Sequence, residues 1–104
     1  MVKLRVDDAL KRLAREGSDF VRFIDEDAFD VSLYKPDGID TQTPHLRDEI
    51  YVVAGGSGEF ASGGKTEPVA SGDVLFVRAG AAHRFLNFTR DFSAWVVFIG
   101  TKKR

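Results

Sequence analysis

Beyond residue 17 no stretch of this chain keeps a helical period; short β-prone runs recur instead between clusters of Gly, Pro, Asp and Ser. The runs fall at residues 20–24, 29–34, 45–54, 59–61, 74–77, 84–88 and 94–99. Between them stand turn formers such as Lys35-Pro36-Asp37-Gly38, Gly55-Gly56-Ser57-Gly58, Ser62-Gly63-Gly64-Lys65 and Ser71-Gly72-Asp73. Strands this short, joined by turns this tight, pair mostly as antiparallel hairpins, so the pattern predicts an all-β sandwich or barrel. One helix is expected first, at about residues 7–16: Asp7 stands where a cap belongs, Ala9, Leu10, Leu13 and Ala14 share a face, and Gly17 is the stop.

With 104 residues, one core must serve everything, and the expectation is one domain over 1–104 with a barrel at about 20–100. Lys plus Arg number 15 against 16 Asp plus Glu, a net charge of −1, which argues against a nucleic-acid footprint. The basic run Lys102-Lys103-Arg104 reads as a solvated end. There is no Cys, which removes disulfides, thiolate metal sites and Cys nucleophiles together. Any metal must take N and O ligands. The longest apolar run, 94–99, falls far short of the roughly 18 residues of a membrane span. Nothing at the N-terminus looks like an export signal, so a soluble cytoplasmic protein is expected.

Residues 50–53 and 95–99 are apolar on both strand faces rather than alternating. Both faces must then be covered, one by the barrel interior and the other by the helix, the N-terminal strands or a second subunit, and a homodimer is expected on that ground.

Several motifs dissolve on inspection. Gly64-Lys65-Thr66 resembles the end of a phosphate-binding loop, but Glu59 stands where that loop needs Gly and Pro68 soon follows, so a hairpin turn is the reading. Asp25, Glu26, Asp27 and Asp30 lack the Gly and alternating oxygens of a calcium loop and read as a solvated turn. No serine sits in a nucleophile elbow.

The two histidines are more informative. On a continuous strand His45, Arg47, Glu49 and Tyr51 would share a face. Were His83 brought across by a neighbouring strand, the set would be two imidazoles and a carboxylate, the facial arrangement of non-haem iron. Thr43-Pro44-His45-Leu46-Arg47-Asp48-Glu49, with Gly56 seven residues on, resembles the first motif of the cupin superfamily: His, one residue, His, three or four residues, Glu, six residues, Gly. The second motif is Gly, five residues, Pro, one residue, Gly, two residues, His, three residues, Asn; Gly72, Gly80, His83 and Asn87 match it in spacing, with Arg78 in place of Pro.

This resemblance, over about residues 29–99, implies the cupin double-stranded β-helix, an antiparallel β-sandwich barrel. It also implies one divalent transition metal (Fe, Mn, Ni or Zn) held by His45, Glu49 and His83. Thr43 replaces the first histidine and is expected beside the metal without coordinating it. Arg47 is expected to meet a substrate carboxylate or enolate, Tyr51 and Phe85 to form apolar walls, and Asn87, Phe60 and Trp95 to complete the lining. The implied activity is that of a metal-dependent enzyme, dioxygenase or isomerase/cyclase, on a small oxygen-bearing molecule; a small-molecule binder without turnover and a metal-free structural barrel are the alternatives.

Overall fold

The computed structural model describes residues 1–101; the basic run at 102–104 lies outside the described residues. Helix α1 spans Val6–Glu16, one residue earlier than expected. Asp7 is not its cap: Arg5 holds the cap position in extended conformation without a side-chain bond, and Asp7 and Asp8 lie in the first turn, where their charges complement the positive end of the helix dipole. Gly17, in the left-handed conformation, ends the helix.

Eight strands follow: β1 (Phe20–Asp25), β2 (Phe29–Tyr34), β3 (Asp48–Gly55), β4 (Ser57–Ser62), β5 (Lys65–Ala70), β6 (Val74–Val77), β7 (His83–Leu86) and β8 (Ser93–Ile99). Strand β5 was not anticipated, because Lys65-Thr66-Glu67-Pro68 is polar and holds a proline. It forms at the edge of its sheet, where Pro68 need not donate to a further strand and only Val69 is buried. The Gly63-Gly64 pair that imitated a phosphate loop is the two-residue turn joining β4 to β5, both residues at positive φ.

The strands form a five-stranded sheet, order β1-β2-β8-β3-β6, and a three-stranded sheet, order β5-β4-β7, with every pairing antiparallel. This is the expected all-β two-sheet barrel with one short helix. Cross-strand partners share a face, so the register Glu49–Phe98, Tyr51–Val96 and Val53–Ala94 turns these six inward. There the five apolar ones meet Phe60, Val69 and Phe85 of the smaller sheet in one core.

The alternate residues face outward. Leu33 and Trp95 meet Ala9 and Leu13 of α1 in a second cluster, so the helix covers one end of the outer face. Burying a side chain such as Leu13 contributes about 1.5–3 kcal/mol, which is what fixes the helix there. Farther along that face Phe76 is 53% exposed and Ile99 40%.

Two sequence readings need correction. Asp25, Glu26 and Asp27 are exposed as expected of a turn, but Asp30 is wholly buried on the inner face of β2 and carries an ion pair with Arg47. The strand expected over 45–54 begins only at Asp48, leaving His45 and Arg47 in an irregular segment. At the β3–β4 corner Gly56 has φ +72°, and a Cβ there would come within 2.7 Å of the Phe92 backbone, so the chain lies directly on the loop before β8.

Candidate metal centre

Three elements converge at one end of the barrel. Glu49 is the second residue of β3 and points inward; His83 opens β7 on the opposite sheet; His45 precedes β3. The ligand-capable atoms of His45, Glu49 and His83 lie within 4.8 Å of one another. His83 Nε2 is 2.9 Å from Glu49 Oε1, and His45 Nε2 is 3.9 Å from the same oxygen.

His45 reaches this position without the strand alternation that predicted it. Its ring packs edge-on against Phe98, centroids 4.9 Å apart, and Phe98 also carries the Arg47 guanidinium at 4.8 Å from its ring. Behind His83 stand Phe60 and Tyr51, centroids 6.0 and 5.8 Å away.

The donor chemistry suits a divalent ion. His83 Nδ1 is 2.8 Å from the Ala81 carbonyl, an acceptor only, so Nδ1 carries the hydrogen and Nε2 is the nitrogen left to bind. Glu49 Oε2 is buried with no hydrogen-bond partner among the described residues. Adjacent ligands with bonds of about 2.0–2.2 Å to one ion lie roughly 3.0–3.5 Å apart, so the 2.9 Å His83–Glu49 separation already suits an ion and the 3.9 Å His45–Glu49 separation has to close by less than about 1 Å. The residues present fit a metal.

Burial lowers the His45 imidazole below its ordinary value, against a smaller opposing pull from Glu49. At His83 burial also acts downward, but the Glu49 hydrogen bond, the Ala81 carbonyl and the Glu49 charge outweigh it and hold the imidazole above its ordinary value. Burial, then the Glu49 charge, raise the Tyr51 phenol, which stays protonated.

The remaining sequence candidates are distributed differently. Tyr51 is more than an apolar wall: its hydroxyl lies 2.9 Å from His83 Nε2 and donates to Gln42 Oε1 at 2.8 Å. Arg47 is not free for a substrate anion, because its Nη1 sits 2.8 Å from the buried Asp30 Oδ2. Phe85 packs in the core among Tyr51, Phe60 and Phe92. Trp95 faces the opposite side of the sheet, against Phe23 and the helix cluster, because β8 places odd-numbered residues outward. Asn87 lies just past the end of β7, exposed, at φ 49°, and its amide donates to Glu59. Thr43 is exposed and has no hydrogen-bond partner among the described residues.

Two residues that sequence reasoning passed over stand in their place. Gln42 Oε1 lies 3.2 Å from His45 Nε2, and Gln42 Nε2 lies 2.7 Å from Asp40 Oδ2. Asp40, 2% exposed, also accepts from the Tyr34 hydroxyl at 2.7 Å, the Phe85 N–H at 2.8 Å and the Gln42 N–H at 3.1 Å. The signal was local: Asp40 and Gln42 stand just before a motif whose first ligand is missing, in a segment too irregular for strand parity to aim them.

A cavity of about 280 Å³ opens beside His45, lined by Asp19, Phe20, Tyr34, Thr41, Gln42, Val96 and Phe98 as well. A larger cleft of about 1090 Å³ lies between the end of α1, residues 35–38 and residues 88–90, and contains none of the three candidate ligands. The smaller cavity is the one that reaches the cluster, through His45. Among the described residues no helix is long and apolar enough to cross a membrane.

Comparison with known proteins places this arrangement. The cupin domain family model matches residues 31–99. An uncharacterized protein of Streptomyces coelicolor is 37% identical over 101 residues, covering 94% of this chain and 95% of that one. Among solved structures, a cupin 2 conserved barrel domain protein of Salinispora arenicola is similar with a TM-score of 0.65 at 25% identity, over 77% of this chain and 73% of that one. The DMSP lyase DddQ of Ruegeria pomeroyi is similar with a TM-score of 0.67 at 25% identity, over 94% of this chain but 55% of that one. With the two-sheet barrel in place and the family model running from β2 through β8, the chain belongs to the cupin family.

Proposed function

We propose that this protein is a metal-dependent enzyme whose centre is His45, Glu49 and His83 and whose substrate is a small molecule presenting carbonyl or hydroxyl oxygens to the ion. The observation that carries the reading is the convergence of three ligand atoms within 4.8 Å beside an open cavity. A bound divalent ion supplies Lewis acidity toward a substrate oxygen and, if iron, dioxygen chemistry. The residues around it do the rest. Phe20, Val96 and Phe98 give the cavity apolar walls that exclude water, and its volume suits a molecule at the small end of the usual ligand range. No Lys or Arg lines it among the described residues, and Arg47 is held by Asp30, so a neutral substrate fits better than an anion. Tyr51 holds its proton and serves as a hydrogen-bond donor rather than a base.

That one structural relative is a lyase by name supports an enzymatic reading without choosing the reaction. Dioxygenase and isomerase or cyclase chemistry both use such a centre. The test is metal analysis of the purified protein by mass spectrometry, followed by oxygen uptake and product analysis with small diketones and catechols. One equivalent of Fe, Mn, Ni or Zn with turnover supports the enzyme; metal and ligand-induced thermal stabilisation without turnover turns the reading to a binding module; absence of metal after loading overturns it.

In this reading two copies cover each other's outer sheet face. Helix α1 covers only the Leu33–Trp95 end, and Val31, Ile50, Phe76, Val97 and Ile99 continue the apolar surface beyond it, with Phe76 and Ile99 substantially exposed.

A further inference from the structure

We propose that Gln42 supplies the fourth protein ligand of this centre through Oε1, with Asp40 as the residue that fixes which end of the amide faces the metal. The inference rests on the metal reading above. In the first motif the missing histidine corresponds to Thr43, but Thr43 is exposed, and it is the neighbouring side chain that enters the cluster. Gln42 Oε1 lies 3.2 Å from His45 Nε2, close to the 2.9 Å between His83 Nε2 and Glu49 Oε1. Both are separations expected of adjacent ligands on one ion with bonds of about 2.0–2.2 Å.

The orientation of the amide is decided by chemistry. A carboxylate only accepts, so the Gln42 NH₂ must face Asp40 Oδ2, and Oε1 must face the histidines; the reverse would set two acceptors 2.7 Å apart. Asp40 cannot swing to permit it, because Tyr34, the Phe85 N–H and the Gln42 N–H hold both of its oxygens. Oε1 already accepts from the Tyr51 hydroxyl, and its second lone pair, which faces His45 Nε2 at 3.2 Å, is available to an ion once that nitrogen has given up its hydrogen to become a ligand itself. The set is then two imidazoles, one carboxylate and one neutral amide oxygen. Exchanging an imidazole for a carbonyl oxygen shifts preference toward harder ions such as Mn(II) and Fe(II) over Ni(II) or Zn(II).

The full-length protein is titrated with Co(II), reading affinity by chelator competition and ligand geometry by visible absorption, for the native sequence and Gln42→Ala. Loss of a ligand weakens binding by on the order of tenfold or more and changes the absorption bands; an outer hydrogen bond weakens binding by a similar factor and leaves the bands as they were. Changed bands support the assignment, and unchanged bands overturn it. Because the substitution also loosens Asp40, a second measurement uses the unaltered protein. Gln42 is the chain's one glutamine, so a ¹³C-labelled side-chain amide reports a single carbonyl in the infrared. Its stretch moves to lower frequency on Co(II) addition if Oε1 coordinates. Co(II) uptake with an unmoved stretch overturns the role of Gln42 alone, whereas no Co(II) uptake by the native protein overturns the metal reading and the ligand with it.

Discussion

His83 Nε2 sits 2.9 Å from Glu49 Oε1 across the two sheets of the barrel, with both side chains 1% exposed. The contact joins the only pair of strands, β3 and β7, that bring a carboxylate and an imidazole face to face among the described ligand candidates. It sets the behaviour of the centre toward protons.

Glu49 holds the His83 imidazole above its ordinary value, against the effect of burial. In metal-free protein this pair stabilises the fold fully below the unfolded value of about 6.5, and the contribution is lost as pH rises through the raised folded value. For metal the sign is opposite, since the ion must displace that proton. Co(II) or Zn(II) affinity should therefore begin to fall above pH 6.5 and continue falling as pH drops. Chelator competition across pH 5.5–8.5, a range chosen to bracket the ordinary histidine value of about 6.5, checks it; flat affinity across that range refutes it.

His83→Ala removes one of the two imidazoles of the centre, the one 2.9 Å from Glu49, and should deplete stoichiometric metal, whereas Thr43→Ala, at an exposed position, should leave metal content unchanged. Metal analysis of both proteins after identical loading decides it. If the Thr43 change empties the site as fully, the ligand set is wrong.

Arg47→Met removes the cation nearest a wholly buried Asp30 and leaves it only Arg22, whose Nε is 3.8 Å from Oδ1, so it should cost about 3 kcal/mol of stability in urea unfolding, the low end of what breaking a buried pair costs. The pair Asp30→Asn with Arg47→Met should cost less than the single change. Equal or greater loss in the double variant would show that the charge pair is not what the site requires.

Light scattering at micromolar concentration should give twice the 11.5 kDa chain mass, and Phe76→Glu, on the outer face of β6, should yield a folded monomer. A monomeric native protein excludes the dimer directly.

The chain's own sequence determined the architecture because the relevant signals are local. Strand runs between turn formers, the Gly63-Gly64 hairpin and the apolar face of α1 each depend on a few adjacent residues. The three convergent side chains were legible too, though for His45 by motif spacing alone, since the strand parity that seemed to aim it does not extend before Asp48. What only the tertiary structure decided is where irregular or distant segments point. Asp30 reads as one of a run of turn acids until β2 pairs with β8 and turns it inward to meet Arg47, which is thereby withdrawn from the cavity. Trp95 changes face by the same pairing. Gln42 enters the cluster because Asp40 is anchored to Tyr34 on one sheet and the Phe85 backbone on the other. The bond to Phe85 spans 45 residues and exists only once the barrel has closed, so no periodicity in the chain records it.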